Sequence, residues 1–430
     1  MRRLRILHRR SSQKYSKLFR FLGPGLITGA ADDDPSGIAT YSQAGATYGF
    51  GQLWSIALCL PLMIAVQEAC ARIGSVTGKG IVKVTSELYS KKILYSVVSL
   101  VVIANVINIG ADIAAVGAAL NLLFPIPILL LSSLFTLLVL FLEIRVGYHS
   151  YSKFLKILAL SLLAYVFTAI IVHPNWAEVA RSLVVPQISW EVNYWYVIVA
   201  LLGTTISPYM FFWQATEEVE EQKYALKAGI PQRSLRTIRR DNTIGMTISQ
   251  LGSVFMIITT AVVLHQNGLK EIGTAADAAR ALEPLVQGFP NAGTYAKILF
   301  AVGIIGMGLL GIPVLAGSVS YAISDTRSWR QGLDYKFSQA KQFYLVIIAA
   351  TAAGWLLNII GIDPIHALVF AAVINGLVSI PLVFLISRIS IDSRVMGVHT
   401  GGSLSRTFLL ATFLITLACG VILGYSVLSA

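Results

Sequence analysis

The sequence predicts an all-α integral membrane protein of about eleven transmembrane helices, built as a five-plus-five inverted repeat in which helices 1 and 6 are broken. Three observations carry this expectation. Of 430 residues, 56% are hydrophobic and only 13% charged, about half the charge of an ordinary soluble domain. Apolar runs of about 20 residues, enough to cross a hydrocarbon core of ~30 Å, recur along nearly the whole chain. Finally, the first and sixth runs are each interrupted by a proline at a similar depth, the mark of paired broken helices in inverted-repeat transporters.

The elements follow in order. Residues 1–20, "MRRLRILHRRSSQKYSKLFR", are basic but lack an apolar stretch ending in a small-residue cleavage site, so they read as a retained cytoplasmic tail. The first repeat, 21–172, holds expected spans at 21–48, 52–73, 94–121, 126–144 and 154–172. The second, 195–388, holds 195–217, 242–265, 295–322, 342–361 and 365–388, and an additional helix 11 occupies 406–428. With the N-terminus inside, only Arg181, Lys270, Arg280 and Lys297 of the 33 Lys and Arg residues fall outside. That asymmetry matches the tendency of basic loops to stay in the cytoplasm and places the C-terminus outside. It also accounts for the net charge of +12 through membrane loops facing lipid, leaving no nucleic-acid role to invoke. The compact loops suit a bacterial inner (plasma) membrane.

The first span contains "GAADDDPSGIATYS" and the sixth "LLGTTISPYMFFWQ". Pro35 and Pro208 each remove a backbone donor, and freed backbone groups are tolerable at membrane depth only where they line a cavity or bind something. A plain kink is the common reading of an isolated proline. Carboxylates inside a bilayer are functional-site candidates by default, and Asp34 stands immediately before the first break, where exposed carbonyls could join it around a cation. Three consecutive carboxylates cannot all point into one cavity from a helix, so Asp32 and Asp33 are left as contributors to the field or as alternative proton acceptors.

These segments carry a resemblance. "GPGLITGAADDDPSGIATYSQAGATYGF" is similar to the segment of the Nramp (natural resistance-associated macrophage protein) family of divalent metal transporters that ends in a DPGN motif. "MIAVQEACARIGSVTGKGI" resembles that family's second helix, and "GADIAAVGAALNLLF" and "TTISPYMFFWQ" align with its third and sixth. The resemblance covers nearly the whole chain. It implies the leucine-transporter type of fold, alternating access, and a divalent ion held between the unwound parts of spans one and six as substrate, with no cofactor.

Carried over by position, the motif aspartate falls on Asp34, its asparagine on Gly37, the family's carbonyl ligand on Thr204 and its methionine ligand on Ser207. The aspartate is kept and two other side-chain ligands are lost. Without a thioether, the remaining oxygen donors suit hard ions such as Mg2+, Mn2+ or Ca2+, and Gly37 and Ser207 are expected to leave room for water on a reluctantly dehydrated ion. The chain in this respect resembles the Nramp-related magnesium transporters. Asp112 matches one acid of the family's proton route. Asn105 and Ala115 replace two others, Tyr209 and Gln214 stand at its histidine positions, and the ninth span lacks its arginine. The expectation is weak or absent proton coupling.

Other residues carry alternatives. Asp112 could serve as a proton site or pair locally, and Asn375 could reach the ion or bond a neighbouring helix. Together with Asp33, Tyr209 and Gln214 they form the expected periphery of the metal site. Glu68 and Arg72, four apart, read as a local pair. "EEVEEQK" after span six reads as a solvated helical continuation, with gating as the minority reading. Cys59, Cys70 and Cys419 lack CxxC spacing and read as packing residues. The aromatic run Tyr209, Phe211, Phe212 and Trp213 beside a carboxylate keeps open a carrier of a small organic cation or amino compound. An enzyme is disfavoured by the lack of GxSxG, HExxH or a nucleophile-base pair at helical spacing. A channel would differ from a carrier in flux.

Overall fold

The computed structural model describes residues 28–29, 32–146, 163–227, 229, 231–333 and 335–429. The basic tail lies outside the described residues, as do parts of the first and fifth expected spans. Helix and turn account for the chain's ordered elements, and no strand occurs among the described residues.

The first broken span resumes as α1 (Pro35–Tyr48), because Asp34 caps it and Pro35 opens it, a favoured start for a helix. It is followed by α2 (Leu53–Thr77), a short α3 (Ile81–Leu88), α4 (Lys91–Leu123), α5 (Ile128–Arg145) and the described part of the fifth span, α6 (Leu163–Ile171). The amphipathic α7 (Trp176–Val184) connects to the second broken span, split into α8 (Val192–Thr205) and α9 (Pro208–Lys227). Then come α10 (Leu235–Val263), the short α11 (Ala275–Arg280) and α12 (Glu283–Val286), α13 (Ala292–Arg327), α14 (Lys341–Leu357), α15 (Pro364–Ile391), the single turn α16 (Ser393–Met396) and α17 (Ser403–Ser429).

Nine helical spans among the described residues are long and apolar enough to cross a membrane, α8 and α9 counting as one. Several overrun the expected spans by polar residues at their ends. Thus α10 begins at Leu235 rather than 242, where the Ser234 hydroxyl accepts from the Thr237 amide, an N-cap that lets the helix start in the polar region.

The broken helices sit at the centre. Helix α1 packs on α10, α15, α8, α4 and α13, and α4 lies along α13 and α15. Small residues permit this closeness. At the crossing of α8 and α15, a Cβ on Gly203 would collide with the Ala372 carbonyl and one on Gly376 with the Val199 carbonyl. The contact brings α15, with Asn375, against α8 just before its break.

Candidate functional site

Asp34 is the hub. As N-cap of α1 it has an extended backbone (φ −63°, ψ 174°), and its Oδ1 accepts from the Ser36 hydroxyl at 2.6 Å and the Gly37 amide at 2.9 Å. Its Oδ2 faces other helices: Asn108 Nδ2 of α4 donates at 2.9 Å and the Tyr209 hydroxyl of α9 at 3.1 Å. Those four donors match the roughly four acceptor sites of a carboxylate. Behind Asn108, Asn375 Nδ2 of α15 donates to Asn108 Oδ1 at 3.2 Å. Asp34, Asn108, Tyr209 and Asn375 are each 1% exposed or less, so water reaches the cluster from neither end.

Asp112 stands one turn beyond Asn108 on α4. Neither of its carboxylate oxygens makes a hydrogen bond of ordinary geometry among the described residues, although the Ser36 backbone amide is within electrostatic reach. Gly311 of α13 separates the two acids: a Cβ there would lie 3.2 Å from Asp34 Cβ and 3.6 Å from Asp112 Oδ2. Asp112 thus lies beside Asp34 across Gly311; of the local partners expected for it, a backbone group or a Lys or Arg, the Ser36 backbone is the one near it, and no Lys or Arg is seen against it among the described residues.

The second break is held by its own serine. Ser207 Oγ donates to the Gly203 carbonyl at 3.0 Å and the Thr204 carbonyl at 2.6 Å, satisfying acceptors that the end of α8 leaves without helical partners. Thr204 is adjacent to the first break, since a Cβ on Gly37 would lie 3.1 Å from its Oγ1. The expectation that Gly37 leaves space for water fails in this closed arrangement. Thr204 Oγ1 and, at 3.3 Å, Tyr41 Cε2 already fill that space. Ser207 likewise spends its proton on α8.

Two residues placed at the periphery lie elsewhere. Asp33 faces α10, where Ser253 donates to it at 3.3 Å, and Asp32 accepts from Ser249 one turn away at 3.2 Å. Both side chains are held by serines of α10 rather than by the donors around Asp34. Gln214, two turns into α9, bonds Thr28 and donates to Glu218 at 3.1 Å. Asn108 and Ser36 are the neighbours of Asp34 that the sequence reading missed. The spacing of Asn108, four residues before Asp112, is the one signal that puts it on the same helix face.

The "EEVEEQK" segment continues α9 as expected and is partly solvated, with Lys223 exposed and Glu217, Glu220, Glu221 and Gln222 half-buried, but Glu218 and Val219 are buried. Glu218 is buried and faces Arg233, which also pairs with Asp241 of α10 at 2.9 Å. Glu220 accepts from Tyr321 at 2.7 Å, and Gln222 donates to the Ser75 carbonyl at 2.8 Å. The Glu68 and Arg72 pair is present at 3.6 Å, with Arg72 also bonding Ser390 at 2.8 Å. Cys59 and Cys70 are buried and Cys419 partly so, all as free thiols. In the aromatic run, Tyr209 meets Asp34 with its hydroxyl rather than its ring face, and Trp213 stacks edge-on to Tyr321 at 6.3 Å. Among the described residues, no three or more His, Cys, Asp or Glu side chains are grouped to hold a metal.

A membrane helix bundle whose two central spans unwind next to each other, one at a buried aspartate, is a carrier scaffold of the leucine-transporter type. The chain belongs to the natural resistance-associated macrophage protein-like family, whose model matches residues 25–426. It is 25% identical over 312 residues to a divalent metal cation transporter MntH of Listeria welshimeri, covering 70% of this chain and 66% of that protein. It is also 29% identical over 317 residues to the MntH of Yersinia pestis, covering 69% and 71%. The chain thus spans slightly under two thirds of the Listeria relative. Among solved structures it resembles a manganese transporter of Eremococcus coleocola, with a TM-score of 0.74 at 16% identity, covering 95% of this chain and 86% of that one. MhsT, solved with L-phenylalanine, superposes with a TM-score of 0.62 at 12% identity, covering 94% and 98%.

Proposed function

We propose that this protein carries a divalent metal cation across the membrane by alternating access, with its N-terminal side in the cytoplasm of a bacterial inner membrane, and that a hard ion such as Mg2+ or Mn2+ is its substrate. The observation that carries this reading is Asp34: a buried carboxylate at a helix break, in a chain whose Listeria and Yersinia relatives bear the name of divalent metal cation transporters. Its hydrogen-bonding neighbours are hydroxyls, an amide and a carboxamide, with no sulfur or imidazole. The hydroxyl and carboxamide oxygens among these neighbours, unlike the Gly37 N–H, could coordinate an ion, and oxygen donors favour hard ions over soft ones. The structure is closed around Asp34, so the ion enters after one side opens, and any retained water enters with it. The organic-cation alternative needs an aromatic face toward the carboxylate, and Tyr209 presents its hydroxyl instead.

Proton coupling is weak or absent in this reading. Asn105 donates to the Leu315 carbonyl at 3.2 Å, an ordinary packing role, and Gln214 is committed to Thr28 and Glu218. Only Asp112 remains of the family's acids at these positions.

Isothermal titration of the purified protein with Mg2+, Mn2+, Ca2+ and Cd2+, beside Asp34→Ala, tests the site. Binding of a hard dication that is lost in the variant is expected. Tighter binding of Cd2+ than of Mg2+ and Mn2+ would overturn the preference, and undiminished binding by Asp34→Ala would overturn the site.

A further inference from the structure

Asp34 as it stands cannot take an ion without giving up a donor, and the geometry identifies which donor leaves. Oδ1 is fixed by its own helix start, through Ser36 and Gly37. Oδ2 is therefore the oxygen turned to an incoming cation, and it is held by Asn108 and Tyr209. The two differ in chemistry. A phenol that turns its proton away from Oδ2 needs another acceptor in a buried setting, whereas a carboxamide exchanges its NH2 for its oxygen by rotating about one bond.

We propose that Asn108 is a ligand of the transported ion, turning its amide oxygen toward the cation when the ion displaces its hydrogen bond to Asp34; this rests on the metal-carrier reading above. The neighbouring amide makes the turn possible. Asn375 Nδ2 now donates to Asn108 Oδ1, while Asn375 Oδ1 has no hydrogen-bond partner among the described residues and both side chains are fully buried. When Asn108 turns, its NH2 faces Asn375, which turns in its own place to accept with its oxygen. The Asn-to-Asn hydrogen bond survives with its direction reversed. The bond from Asn108 to Asp34 is replaced by two oxygens on one ion, so the pair has an ion-free and an ion-bound orientation without movement of the backbone.

The same pair explains how the site manages without the asparagine and methionine of the family's motif. Gly37 has no side chain, and Ser207 is bonded to α8. A neutral oxygen supplied from α4 restores a donor from a direction that the unwound helices do not cover, and it keeps the donor set all-oxygen, as a hard ion requires.

The test is titration of the full-length protein with Mn2+ and Mg2+ in Asn108→Leu and Asn108→Asp, with Asp34→Ala alongside. Asn108→Leu has similar volume and no donor atom. It is expected to weaken binding by about 10-fold or more, the usual scale for losing a group at a metal site. Asn108→Asp keeps an oxygen but loses the NH2, and is expected to bind the dication at least as tightly as the unchanged protein. A purely structural role as hydrogen-bond donor predicts the opposite, because the new carboxylate would face Asp34; loss of binding in Asn108→Asp overturns the proposal, as does affinity within twofold of normal in Asn108→Leu. If Asn108→Leu does not fold, Asn108→Asp decides alone. Loss of binding in Asp34→Ala with these outcomes refutes the role of Asn108 only, whereas normal binding in Asp34→Ala refutes the site itself.

Discussion

A single methyl group tests how tightly Asp34 is enclosed. Gly311 lies between Asp34 and Asp112, and an added Cβ would stand 3.2 Å from Asp34 Cβ and 3.6 Å from Asp112 Oδ2, so it crowds the gap between the two acids that the proposed ion would adjoin. Overpacking by one methyl costs about 1–3 kcal/mol. If that cost falls on the ion-bound form, Gly311→Ala weakens dication binding by roughly 5- to 150-fold, while the helix, where alanine is favoured over glycine, stays folded. Titration with Mn2+ together with a thermal-shift measurement separates the two effects; equal affinity would show that the ion does not use this space. Asp34 was legible in the sequence because a carboxylate next to a proline inside an apolar run has few innocent explanations. Asn108 was not legible. Asparagine in a membrane helix is commonly a hydrogen-bond partner between helices, and its turn toward Asp34 depends on the packing of α4 against α1.

At the scale of elements, the informative piece is α9 beyond the break. Its acidic continuation looks solvated in sequence because charge is the only cue there, and composition does not reveal that Arg233 returns from the following turn to cover Glu218. Arg233, Glu218 and Asp241 have side chains 14%, 1% and 4% exposed, so they tie α9 to α10 where solvent screening is weak. Removing one partner of a buried ion pair leaves the rest uncompensated, at a cost of about 3–5 kcal/mol. Arg233→Met is therefore expected to lower the melting temperature in detergent clearly, and Arg233→Met with Glu218→Gln is expected to recover part of the loss. No recovery in the double variant would mean that Arg233 acts through packing alone. The helix breaks themselves were legible, since Pro35 and Pro208 stand where α1 and α9 begin. The ends of the long helices were less so, because capping by residues such as Ser234 carries a helix past the apolar run that announces it.

Across the whole molecule, the carrier reading proposed above says how transport would be driven. On that reading an ion enclosed at Asp34 is released by opening on one side at a time, which would make flux saturable and slow compared with a channel. A dication crossing the full potential gains about 4.6 kcal/mol per 100 mV, more than a thousandfold in concentration ratio by the usual conversion of about 1.4 kcal/mol per decade. Membrane potential alone is then sufficient to accumulate the ion, and a co-transported proton is not required. The expected result in proteoliposomes is that Mn2+ or Mg2+ uptake rises with a K+ diffusion potential that is negative inside, saturates with ion concentration, and leaves the lumenal pH unchanged. Asp112 is the residue through which this could fail, being a buried carboxylate beside Asp34 with no hydrogen bond of ordinary geometry among the described residues. Asp112→Asn is therefore run beside the unchanged protein. Lumenal acidification in fixed proportion to metal uptake, abolished by Asp112→Asn, would show that one acid is enough to couple protons and would replace the uncoupled mechanism. Uptake by both proteins without acidification would leave potential as the driving force and Asp112 as part of the negative field that draws a dication to Asp34.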